Sequence, residues 1–124
     1  MADVLVVDDD PSIRLLLELH LRAGGHQVRP AATVEQGLLL IAERRPDLLL
    51  LDVHLAAQRG ERLIELLDRG LGRPQVVCLV SGIPEDELAV LAASNGVRYL
   101  TKPFEPADLQ RVVAAVVRDH DRSG

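Results

Sequence analysis

Aromatic side chains are nearly missing from these 124 residues, which hold no Trp, one Tyr and one Phe. A core must then be built from Leu, Val, Ile and Ala, and base stacking is excluded as a route to nucleic-acid binding. Cysteine occurs once, as Cys78, so no internal disulfide can form, which suits a reducing compartment. Its setting, Val76-Val77-Cys78-Leu79-Val80, predicts a buried and inert thiol. Positive charge is in deficit: 14 Lys and Arg stand against 19 Asp and Glu, for a net charge of −5. Such a balance argues against any direct grip on nucleic-acid phosphates. No apolar run approaches the ~20 residues that cross a bilayer, and no signal peptide precedes Asp8. A cytoplasmic protein without a membrane partner is the expectation. Linkers, internal repeats and low-complexity segments are also lacking, so the length implies one domain with an ordinary core.

What is present begins with Val4-Leu5-Val6-Val7, an apolar run of strand length that ends in Asp8-Asp9-Asp10. Strands covered by helices on both faces read as continuous apolar runs. The pattern then repeats. A strand at about 3–7 is followed by a helix with Ile13, Leu16, Leu17 and Leu21 on one stripe. Asp10 is its N-cap, Pro11 its first position, and Gly24-Gly25 its stop. His26 to Pro30 reads as a weak second strand, at an edge because of Pro30. Thr33 opens a second helix as N-cap, with Gln36 completing a capping box and Val34, Leu38 and Ile41 inward. That helix ends near Arg45, before Pro46. Leu48 to Leu51, a run ending at Asp52, is a buried strand, and after a loop to Gly60 a helix spans Glu61 to Arg69. Val76 to Val80 is the clearest strand and ends at Ser81-Gly82. Pro84 begins the next helix, with Leu88, Leu91 and Ala92 inward and Asn95-Gly96 closing it. A fifth strand, Val97 to Leu100, runs into Thr101-Lys102-Pro103. The last helix carries Leu109, Val112, Val113, Val116 and Val117, and the segment from Arg118 onward is a polar end expected to fray.

Strict strand–helix alternation with short connections predicts an α/β fold: a (βα)5 doubly wound parallel sheet. In such a sheet the strand ends fall on one edge, and in open α/β sheets ligands bind outside the carboxyl ends. With the flavodoxin-like order 2-1-3-4-5, the strands ending in Asp8-Asp9, Asp52, Ser81 and Lys102 become neighbours. At ~4.8 Å per strand they span roughly 15 Å, within reach of one small ligand. Carboxylates suit Mg²⁺, and a hydroxyl and an ammonium suit phosphoryl oxygens. A carboxylate can also accept a phosphoryl group as an acyl phosphate.

At this point the chain resembles the receiver domain of two-component response regulators, over essentially its whole length. Val6-Val7-Asp8-Asp9-Asp10-Pro11 is similar to the acidic-pocket motif, and Leu51-Asp52-Val53-His54-Leu55 with Gly60 to the phosphoacceptor loop. Val80-Ser81-Gly82 resembles the switch-hydroxyl segment. Lys102-Pro103-Phe104 matches the Lys-Pro pair, and Tyr99, three residues earlier, takes the switch-aromatic position. The resemblance implies that Asp52 is phosphorylated from phosphohistidine on a sensor histidine kinase or a histidine phosphotransfer domain. It implies that Mg²⁺, or Mn²⁺, is held by Asp8, Asp9, Asp52 and the main-chain carbonyl of His54, with Asp10 outside the pocket. Ser81 and Lys102 would bind the phosphoryl group, and Ser81 and Tyr99 would switch the surface read by a downstream output domain or protein. Whether a phosphorylation-dependent homodimer forms is left open. On this reading residues 1–119 form the receiver and 120–124 a polar tail, and no enzyme activity is expected beyond self-directed phosphoryl transfer and dephosphorylation. Ala56 departs from the family, which usually has Pro there, so a freer loop is expected.

Two other readings stand beside it. A pseudo-receiver would keep the fold and bind a partner without phosphorylation. Asp8-x-Asp10-x-Ser12 after an apolar strand also resembles the haloacid-dehalogenase phosphatase motif, with Asp8 as nucleophile, although Asp52 then has no role. The four histidines, His20, His26, His54 and His120, show no metal-ligand spacing and are expected at the surface. Ser81 is also a candidate cap for the helix that Pro84 begins.

Overall fold

The computed structural model describes residues 1–55 and 58–123, with side chains described to residue 116. Five strands, β1 (Asp3–Val7), β2 (Gln27–Ala31), β3 (Leu48–Asp52), β4 (Val76–Ser81) and β5 (Arg98–Thr101), alternate with five helices. These are α1 (Pro11–Ala23), α2 (Val34–Glu43), α3 (Glu61–Arg69), α4 (Glu85–Asn95) and α5 (Pro106–Ser123). All strand pairs are parallel and the sheet order is β2-β1-β3-β4-β5. This is the flavodoxin-like doubly wound architecture the alternation predicted.

Side chains alternate across a strand, so each central strand feeds two cores. Val4, Val6, Leu48, Leu50, Val76, Cys78 and Val80 face Leu17 and Leu21 of α1 and Leu109, Val112, Val113 and Val116 of α5. Leu5, Val7, Leu49, Leu51, Val77 and Leu79 face α2, α3 and α4 through Val34, Ile41, Leu63, Ile64, Leu67, Leu88 and Ala92. Cys78 is buried, and burial pushes its thiol up to about 12, so it stays protonated and inert.

The caps show why the chain leaves the strands where it does. Asp10 accepts the N–H groups of Ser12 and Ile13, and Gly24 and left-handed Gly25 end α1. Thr33 accepts from Gln36 N–H, while the Gln36 side chain reaches Ala32 N–H rather than that of Thr33. Helix α4 has no side-chain cap; Glu85, Asp86 and Glu87 in its first turn meet the positive end of the helix dipole instead.

Several sequence readings need correction. Leu16 is exposed, because α1 buries only the narrow stripe of Leu17 and Leu21 with Ile13 alongside. Helix α2 ends at Glu43 with Arg44 as C-cap, β2 and β5 each lie one residue later than read, and Pro84 precedes α4 as its cap residue. His26 is half-buried: its Nδ1 accepts the Ala2 N–H at 3.0 Å, and burial, then the nearby N-terminal charge, lowers its pKa. Val117, His120 and Ala56 lie outside the described residues or side chains.

Gly60 permits the tightest approach in the fold. A Cβ there would lie 1.9 Å from the carbonyl oxygen of Asp52, while the Gly60 N–H donates to Val53 O at 2.8 Å. Gly60 is thereby held against the end of β3. Gly60→Ala is expected to cost about 3 kcal/mol in urea unfolding, by overpacking against main chain that cannot give way. A loss below about 0.5 kcal/mol would show that this loop relaxes freely.

Candidate functional site

The parallel register decides what meets at the carboxyl edge. Val7 pairs with Leu51 and Asp52 with Val80, while Ser81 pairs with Thr101. Asp8, Asp52, Ser81 and Lys102 therefore leave adjacent strands at nearly one level. Asp8 and Ser81 are each 1% exposed and Asp52 7%, which makes them the buried polar or charged residues among the described ones, in an otherwise apolar core.

Their contacts form one network. Lys102 Nζ donates to Asp8 Oδ2 at 2.9 Å and to Asp52 Oδ2 at 3.5 Å. The other oxygen of each carboxylate accepts a main-chain donor: Asp10 N–H to Asp8 Oδ1 at 2.9 Å, and His54 N–H to Asp52 Oδ1 at 3.2 Å. Lys102 is itself placed by its N–H bond to Ser81 O at 2.8 Å, just ahead of a cis peptide to Pro103. Carboxylate oxygens of Asp8, Asp9 and Asp52 all lie within 4.8 Å of one another. Asp10, as the sequence indicated, is turned away and caps α1.

The charges do not balance. Burial, then the neighbouring Asp8, pushes Asp52 up to about 6, against the pull of Lys102 and the hydrogen bond from His54. Burial works against the Lys102 ammonium as well, but its bond to Asp8 and the fields of Asp52 and Asp8 outweigh that and raise its pKa. Oxygen donors crowded together with a deficit of positive charge fit a hard divalent cation. Asp8, Asp9 and Asp52 are the residues that could hold one.

Ser81 and Tyr99 are placed differently. The buried Ser81 Oγ accepts the Ile83 N–H at 3.3 Å, a local turn that does not cap α4. Tyr99 is 37% exposed, and its hydroxyl donates to Glu85 at 3.4 Å, so the ring lies on the outside of the β5 edge. His54 reaches the site only through its main chain, its side chain being exposed. Gly60, quoted with the phosphoacceptor loop, allows the close approach described above. One residue that the motifs did not single out also serves the site: Arg14 donates from Nη1 to the Asp8 carbonyl at 2.8 Å. An Arg in the first turns of a helix that follows an acidic strand end was the available signal, since helical side chains lean toward the N-terminus.

The shift on Asp52 carries a stability prediction for the metal-free protein. Because its folded pKa lies above the ordinary 3.8, the folded state holds a proton more tightly than the unfolded chain does. The associated stability is present below pH 3.8 and lost as pH rises through about 6. Asp52→Asn removes that loss. The variant is expected to be more stable by on the order of 1–3 kcal/mol at pH 7.5, with the gain shrinking between pH 6 and 4. Thermal unfolding across that range measures it, and equal stability at pH 7.5 would show that Asp52 carries no such strain.

The profile of the response regulator receiver domain family matches residues 4–114. The KDP operon transcriptional regulatory protein KdpE of Escherichia coli (strain K12) is 35% identical over 120 residues, covering 97% of this chain and 53% of that protein. The chain thus spans about half the length of the curated relatives it matches. Among solved structures, the receiver domain of NtrX from Brucella abortus aligns at a TM-score of 0.83 with 32% identity, covering 94% of this chain and 98% of that one. A CheY-like response regulator receiver domain protein from Methanospirillum hungatei aligns at 0.85 with 28% identity, over 100% and 99% of the two chains. With its sheet order, its acidic strand ends and these relatives in agreement, the chain belongs to the receiver domain family of two-component response regulators.

Proposed function

We propose that Asp52 is the phosphoacceptor of this receiver and takes its phosphoryl group from a phosphohistidine of a sensor histidine kinase or histidine phosphotransfer domain. The observation that carries this is the setting of Asp52: buried, at a central strand end, 3.5 Å from Lys102 and within 4.8 Å of Asp8 and Asp9. A carboxylate pushed up to about 6 is still mostly ionised at neutral pH and keeps its nucleophilic oxygen. In the transfer, a bond forms from Asp52 oxygen to phosphorus as the phosphorus–nitrogen bond breaks, and the imidazole leaves with that electron pair. Asp8, Asp9, Asp52 and the His54 carbonyl would hold Mg²⁺, which supplies charge neutralisation for the phosphoryl oxygens when bound. Lys102 is the ammonium nearest that group and offsets further charge. The Ser81 hydroxyl, released from Ile83, would donate to a phosphoryl oxygen, and Tyr99 would leave Glu85 and turn inward. The surface of α4 and β5 would then be the message that a downstream domain or protein reads. Asp8, Asp9 and Lys102 are all committed to one pocket around Asp52, a set that a binding module without phosphorylation has no use for.

Incubation with Mg²⁺ and acetyl phosphate, followed by intact mass, tests the reading. A single Mg²⁺-dependent phosphoryl adduct is expected, and none in Asp52→Asn. No adduct with any donor would favour a pseudo-receiver. An adduct kept in Asp52→Asn and lost in Asp8→Asn would favour the phosphatase chemistry. The switch has its own probe, because Tyr99 is the only tyrosine. Protein made with 3-fluorotyrosine should show one ¹⁹F resonance that shifts on phosphorylation, and an unmoved resonance would remove Tyr99 from the switch.

A further inference from the structure

The carboxylates of the pocket are not equally well held. Asp8 is fixed at each of its hydrogen-bonding groups: its N–H donates to Ala31 O at 3.0 Å, Oδ1 accepts from Asp10 N–H, and Oδ2 accepts from Lys102. Asp52 is held by His54 N–H and Lys102. The Asp9 carboxylate has no hydrogen-bond partner among the described residues and is the most open of the three. Its direction is therefore set by its main chain. That main chain is clamped on both sides. After Asp9, the Asp10 N–H is tied to Asp8 Oδ1 at 2.9 Å. Before it, the Asp8 carbonyl accepts from Arg14 Nη1 at 2.8 Å. Arg14 is half-buried on α1, and its side chain leans back over the turn between β1 and α1. A donor that is always charged and planar makes a stronger and more directional bond than a neutral one.

We propose that Arg14 is a positioning residue for divalent-cation binding: by clamping the Asp8 carbonyl it aims the otherwise untethered Asp9 carboxylate at those of Asp8 and Asp52. This rests on the reading of the acidic group as a cation site. Arg14 acts on the site through a peptide plane and touches neither the cation nor the phosphoryl group. The proposal competes with a simpler one, that a guanidinium near the pocket acts only by its field. The two differ in sign: losing a positive field beside the site would tighten cation binding, most at low salt, whereas losing the peptide orientation weakens it.

The test is Mn²⁺ binding by the full chain without any phosphodonor, read from the electron paramagnetic resonance signal of free Mn²⁺. Arg14→Met, which keeps the apolar stem, is expected to weaken binding about 10-fold, the loss typical of residues that orient metal ligands. The weakening should be at least as large at about 0.3 M salt as at about 0.05 M, a range over which the screening length falls by more than half, because the lost positive field offsets part of it only at low salt. Binding within twofold of wild type would overturn the proposal. So would tighter binding that fades with salt, the mark of a lost positive field alone. If Arg14→Met does not fold, Arg14→Lys carries the test, because it keeps the charge but not the planar fork. A several-fold weakening is expected there too, and unchanged affinity would overturn the proposal. Failure of the wild-type chain to bind Mn²⁺ would instead remove the cation-site reading on which this rests.

Discussion

One ammonium shared between two buried carboxylates, Lys102 between Asp8 and Asp52, is the interaction around which the rest of the site is arranged. Three acidic side chains come together at one end of an apolar sheet, and a single lysine answers them. The opposite edge makes the contrast plain. There Asp3 is matched by Arg29 at 3.2 Å and Arg44 at 2.8 Å, and its N–H is received by Asp47 at 2.8 Å. Acid and base are balanced at the amino ends of the strands and unbalanced at the carboxyl ends. A core of this size could cover its polar groups, and does so at one edge. At the other it buries two carboxylates side by side, and burial, then the field of Asp8, raises Asp52 to about 6. Imbalance of this sort suits a site for a cation and a phosphoryl group.

The sheet makes that imbalance possible. Parallel strands need crossover helices, and those helices bury both faces, so the strands themselves offer no polar surface. Chemistry is pushed to the edge, where β1, β3, β4 and β5 release their side chains side by side. The apolar runs of β1, β3 and β4 thus serve two ends. They fill both cores, and they set the height at which Asp8, Asp52 and Ser81 emerge. Slipping one strand by a residue would turn its alternating side chains to the opposite faces, so the cores themselves guard the alignment of the site.

Much of this was legible in the sequence because it rests on local signals. Leu48–Leu51 could be helical by propensity alone, but its short length between Pro46 and a polar loop favours a strand, and Asp10-Pro11 and Thr33 announce helix starts by simple capping chemistry. The site residues were legible because the fold places them by rule, at strand ends on neighbouring strands. What escaped depends on contacts that close in space. Leu16 fits the stripe of α1 by spacing, yet the helix meets the sheet along a narrower line than its apolar residues suggest. His26 carries no local mark of burial; it becomes half-buried because the chain start passes beside it. Gly60 is marked by the loop motif, but the reason for it, an Asp52 carbonyl standing where its side chain would be, closes only in space. Arg14 reads as a surface charge until its guanidinium is followed back to the β1 end.

The resting state of the proposed switch is held by little. Ser81 has one neutral hydrogen bond to release, of a kind that contributes about 0.5–1.5 kcal/mol net. Tyr99 has one long contact to Glu85 at the surface. Both run into the same short stretch, Ser81 to Glu85, which links β4 to α4, so moving one end loosens the other. Carrying a two-state element from 1:99 to 99:1 takes about 5.5 kcal/mol of differential interaction. A phosphoryl group on Asp52 brings a double negative charge beside Lys102 and an acceptor for Ser81, and charged hydrogen bonds are worth about 1.5–3 kcal/mol each. Two such bonds, about 3–6 kcal/mol together, less about 0.5–1.5 for the neutral bond released, supply a large part of that figure. On the proposed switch, the tethers of the off state are weak enough for a single covalent event to outweigh them.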